Sequence, residues 1–74
     1  MIVYELWETR SGNLISSFES ESAALASVAR SVHSLGPGSV ATVALVRLDD
    51  EDDDAEIVQV AAGDDLLARI GQPA

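Results

Sequence analysis

Residues 1–9 alternate in polarity, with Ile2, Tyr4 and Leu6 on one side and Val3, Glu5 and Trp7 on the other, the period of a strand. Residues 14–19 read as a second strand. The intervening Arg10-Ser11-Gly12 fits a three-residue turn closed by a left-handed glycine. That turn pairs Tyr4 with Phe18, Trp7 with Ile15 and Glu8 with Leu14, and gathers Tyr4, Leu6, Leu14 and Phe18 on one face. A two-residue Ser-Gly loop would move Leu14 and Phe18 to the side of Glu5 and Trp7, a smaller apolar set.

The period then changes. From Glu21, the run ESAALASVARSVHSL places Leu25, Val28, Val32 and Leu35 three and four residues apart, flanked by Ala24 and Ala29. Ser20 is the expected N-cap, Glu21 suits the first turn, Gly36 is a left-handed stop, and Pro37 blocks continuation. Residues 40–48 (VATVALVRL) and 56–62 (EIVQVAA) are rich in β-branched residues and predict two more strands. Pairing Val46 with Val58 sends Val43, Leu45 and Ile57 to one side and Val46, Val58 and Val60 to the other. Asp64 is placed to cap a short helix over residues 65–70, and residues 71–74 read as a frayed tail.

The predicted fold is α+β in the order ββαββ(α). A four-stranded, mainly antiparallel sheet of two hairpins carries one main helix on one face, with a short C-terminal helix, in a single domain over residues 1–70. One helix covers one face. The other face still holds Val3, Trp7 and Ile15, and both sides of the second hairpin are apolar. A sheet with one face in water alternates more cleanly than this, so Val3, Trp7, Ile15, Val43, Leu45 and Ile57 are interface candidates. Trp7 is the leading anchor. The outer side of the helix, Ala23, Ala26, Ser27, Arg30 and Ser34, is small and nearly uncharged, either a plain surface or a packing face.

Size strengthens this expectation. A 74-residue chain is near the lower limit for a self-sufficient core, and it has no cysteine for a disulfide. Oligomerisation is the remaining rescue. The start MIVYELWE lacks the basic and longer apolar regions of a secretory signal, and no apolar run reaches the roughly 20 residues of a membrane span. A cytoplasmic protein that does not enter a membrane is expected.

Thirteen acids face four arginines, for a net charge of −9, with no lysine. Seven of the acids are Asp49, Asp50, Glu51, Asp52, Asp53, Asp54 and Glu56, so without them six acids face four arginines, a net −2. The acidity is local. Nucleic-acid binding is disfavoured, since it relies on Lys and Arg replacing phosphate counterions. As a calcium loop beginning at Asp50, the run offers Ala55 where a glycine turns the chain and Ala61 where a bidentate glutamate belongs. It also imitates the extended charge of a nucleic acid poorly. A strongly hydrated connection over residues 49–55, keeping two hydrophobic strands from aggregating, explains it better.

Other chemistry is scarce. His33 is the single histidine, at the margin of the helix's apolar face, and is expected on the surface. Gly36-Pro37-Gly38-Ser39-Val40-Ala41 formally fits G-x-G-x-x-A, but a helix precedes it and a strand follows, the reverse of a dinucleotide site. Glu5 and Glu19 are expected on one sheet face near Trp7 and Ser17, with Arg47 able to pair with one of them. Nucleophile, base and stabiliser cannot all be assigned. No catalytic, cofactor-binding or metal-ligating residue is therefore expected. The expected function is a non-enzymatic protein-interaction module, homodimeric, acting as adaptor, scaffold or regulator. The alternative is an acidic, antitoxin-like inhibitor that neutralises a basic protein through Asp49 to Glu56.

Overall fold

A computed structural model describes residues 2–49 and 56–71, with the backbone alone at Glu56. The central part of the expected acidic loop, 50–55, and most of the expected tail, 72–74, lie outside the described residues. Strands β1 (Ile2–Glu8) and β2 (Asn13–Phe18) are followed by helix α1 (Glu21–Leu35) and a 3-10 turn over Pro37–Val40. Strands β3 (Val43–Asp49) and β4 (Glu56–Ala62) and helix α2 (Asp64–Arg69) complete the chain. The fold is the expected α+β, ββαββ(α) arrangement.

Helix α1 has the predicted ends. The Ser20 hydroxyl accepts from the Ala23 N–H at 3.1 Å, and the Gly36 N–H, at φ 89°, donates to the Val32 carbonyl at 2.8 Å. Ala24, Val28 and Val32 are buried, and Leu25 packs against them. Leu35 is 76% exposed although it shares their side of the wheel. Periodicity gives the angle of a side chain about the axis, and the last residue of the helix lies beyond the rows that are covered.

The sheet order is β2-β1-β3-β4, antiparallel throughout, so the two hairpins join through β1 and β3. Thr9 extends that seam, its N–H and hydroxyl both donating to the Thr42 carbonyl at 2.8 and 3.0 Å. The core lies on one side of the sheet, where Leu6, Leu45 and Ala61 meet Ala24, Val28 and Val32 of α1 and Leu66 and Leu67 of α2. Both helices share this layer. Val40, expected at the start of a strand, is instead 2% exposed in the 3-10 turn, where burial outweighs its β propensity. Gly63, at φ 56°, donates to the Val43 carbonyl at 3.1 Å and turns β4 into α2. It occupies the cap position expected of Asp64, whose side chain makes no capping bond.

Two registers depart from expectation, each at a bulge. Tyr4 pairs with Phe18 and Leu6 with Ser16, but Trp7 then pairs with Leu14 and Glu8 with Asn13, leaving Ile15 as the extra residue. The loop is accordingly four residues, closed by the Gly12 N–H on the Glu8 carbonyl at 2.8 Å. In the second hairpin Leu45 pairs with Ala61 and Val46 with Gln59, leaving Val60 extra. The expected Val46–Val58 pairing is off by one, so Val58 lies opposite Arg47 and Ile57 opposite Leu48. A one-residue slip exchanges the faces of every side chain it reaches.

Candidate interaction surface

Cross-strand partners share a face, so the registers define the side of the sheet opposite the core as three transverse rows. The first is Val3, Leu48 and Ile57. The second is Ser17, Glu5, Val46 and Gln59, and the third is Leu14, Trp7, Ala44 and Ala62. Eight of these eleven side chains are apolar. Both helices pack on the other side. Ile57 is 68% exposed and Leu14 47%, whereas Val3, Trp7, Val46 and Leu48 are partly exposed. The three polar positions all fall in the second row, which separates two apolar bands.

Glu5 carries the one charge of these rows, and its carboxylate accepts from the Trp7 indole N–H at 3.3 Å. That bond leans the ring along β1 toward the polar row. Ala44 is 5% exposed although it stands outside the core cluster. Without a layer above it, such low exposure means that its neighbours rise around it.

Of the residues expected at an interface, Val3, Trp7 and Ile57 lie on this face. Ile15 sits in the β2 bulge, 52% exposed. Val43 and Leu45 do not belong with them: Leu45 is 0% exposed in the core and Val43 packs against it, because Leu45 pairs with Leu6. Leu14 moves the other way, from its expected place beneath the helix to the uncovered face. Val46 and Leu48 were readable from their alternation with Arg47; Leu14 was not, because its placement depends on the bulge. Arg47 lies opposite Tyr4, on the helix side, and so does not share the face of Glu5 as expected. Asp49 and Glu56 pair across β3 and β4, so the acidic run connects the strand ends beside the first row.

Among the described residues, the helix side has a shallow depression of about 370 Å³ lined by Val60, Asp65, Ala68 and Arg69. His33 is exposed on α1, well separated in sequence from these groups. Among the described residues no three His, Asp or Glu side chains gather as metal ligands, and no helix is long and apolar enough to cross a membrane. No family model, curated protein or solved structure matches the chain. The functional reading therefore rests on the uncovered sheet face.

Proposed function

We propose that the chain is a small, non-enzymatic protein-interaction module that pairs with a second copy of itself through the uncovered sheet face and serves as an adaptor, scaffold or regulator. The observation that carries this reading is the set of eight apolar side chains among the eleven on that face. A second copy suits it better than other occupants. The face presents no Lys or Arg, and a net charge of −9 is repelled by anionic lipid and by nucleic acid alike. Stability points the same way, since a 74-residue chain without cysteine gains from any further apolar burial. The face is also favoured over the edges. Both edge strands, β2 and β4, are interrupted by a bulge, which hinders edge-to-edge pairing.

The test is mass in solution by light scattering behind a sizing column, over a range of protein concentrations, for wild type and Trp7→Ala. The expected result is a dimer that Trp7→Ala weakens by about 30-fold, the effect of losing an anchor worth about 2 kcal/mol. A wild-type chain still monomeric at about 1 mM, the concentration that matches a contact of about 4 kcal/mol, would end the proposal.

A further inference from the structure

We infer that the two copies meet about a two-fold axis running parallel to the strands, between β1 and β3, so that Trp7 of each copy packs on Ala44 of the other. This rests on reading the uncovered face as the self-association surface. It follows from how large and small side chains are distributed there. In the third row Leu14 and Trp7 lie on one side of the β1–β3 midline, and Ala44 and Ala62 lie on the other. A two-fold axis along that midline keeps each row at its own level and exchanges its halves. Trp7 then stands over Ala44, and Leu14 over Ala62, of the second copy. Ala44 is the small side chain beside the midline, and the largest side chain of the face stands over it.

The polar row follows. Ser17 comes to lie opposite Gln59 of the second copy, and Glu5 opposite Val46, one strand away from that same amide. Ser17 and Gln59 thus meet, Glu5 lies beside that amide, and the apolar bands meet each other. Such a pairing is the aligned face-to-face packing of two sheets about 10 Å apart. The area is sufficient. Four strands about 4.8 Å apart and seven residues of about 3.3 Å give a footprint of roughly 440 Å² per copy, and side-chain relief brings the total to about 1,000 Å². That reaches the roughly 1,000 Å² a biological interface should clear and matches a weak dimer, below the roughly 1,200–2,000 Å² of stable ones.

One other axis also lays row two on itself, running across the strands along that row. It sets Trp7 against Val3, Ala44 against Leu48, and Glu5 directly on Glu5 of the second copy. The indole then meets Val3 in place of an alanine, and two carboxylates are buried together without a cation on the face. The strand-parallel axis has its own opposing term, because it brings the Asp49 and Glu56 ends of both copies to the same end of the dimer. These strand ends lie at the edge of the footprint, where repulsion is screened over about 8 Å at 0.15 M salt. A buried Glu5 pair has no such relief.

The experiment uses complementary variants. Trp7→Ala removes the protruding ring, and Ala44→Trp fills the site that receives it. Each alone is expected to weaken the dimer by about 10-fold or more, and their equimolar mixture to return to within about 3-fold of wild type. In the mixed pair every contact regains one large and one small side chain. Sedimentation velocity reads the association, and far-UV circular dichroism checks the fold of each variant. Should Ala44→Trp not fold, Leu14→Ala mixed with Ala62→Leu makes the same comparison at the edge strands. Two weakened variants whose mixture stays weak would overturn this axis and leave the self-association reading standing. Two variants that associate like wild type would overturn both.

Discussion

Leu45→Ala separates core from interface at the position where the pattern of the sequence and the folded chain disagree. Leu45 has 0% of its surface exposed and lies in register between Leu6 and Ala61, which keep 4% and 3%. Leucine-to-alanine changes at such sites cost about 2.7–5 kcal/mol, from lost transfer free energy and the cavity left behind. A 74-residue domain has a total stability of roughly 4–11 kcal/mol at about 0.05–0.15 per residue. The substitution therefore removes a large share of it. A loss of 3 kcal/mol corresponds to a fall in Tm of about 12–24 °C at this size. Ile57→Ala is the matched control, because Ile57 is 68% exposed on the opposite face and its truncation should cost within about 0.5 kcal/mol in the monomer. The assay is urea unfolding followed by far-UV circular dichroism, below the concentration of association and again tenfold above it. For Leu45→Ala the loss should be the same at both, since it arises within one copy. A loss within 1 kcal/mol of the Ile57→Ala value, or one present only at the higher concentration, would place Leu45 at the interface and refute the argument.

Two further outcomes are expected. Ser20→Ala removes the acceptor of the Ala23 N–H and should lower stability by about 1 kcal/mol in the same unfolding assay, with α1 retained. Replacing the acids among residues 50–54 with Gly and Ser should strengthen self-association at about 0.01 M salt, where screening extends to about 30 Å, and change it little at 0.15 M; loss of a basic partner on the same replacement would instead favour the acidic-inhibitor reading.

Where the chain's conformation is decided locally, the sequence was sufficient. Helix α1 runs from Glu21 to Leu35 because the Ser20 hydroxyl and the Gly36 turn act within a few residues of its ends. The first half of the β1–β2 register, Tyr4 with Phe18, followed from matching apolar residues across a short turn. Strand order was not readable, since β1 pairs with β3 through contacts about forty residues apart. Nor was the start of β3, because β-branched Val40 suits a strand by propensity and a core by volume, and only the packed chain decides between them.

The bulges account for the remaining difference, and they determine what the uncovered face is made of. Each inserts one residue between the second and third rows, Ile15 in β2 and Val60 in β4, at the same level of the sheet. A strict alternation through β2 would have put Leu14 under α1 and left Trp7 beside Ile15. With the bulge, Leu14 joins Trp7 outside, and in β4 Val60 packs against the core while Ala62 turns outward. No residue type announces this. Neither bulge contains a glycine that would mark it in the sequence. Their joint effect is a third row with bulk on one half and alanine on the other. The alternation along the strands predicted an apolar surplus, and in a chain 47% hydrophobic ten such residues are buried among those described. The bulges arrange that surplus into a shape that a second copy, turned about the β1–β3 midline, can fill.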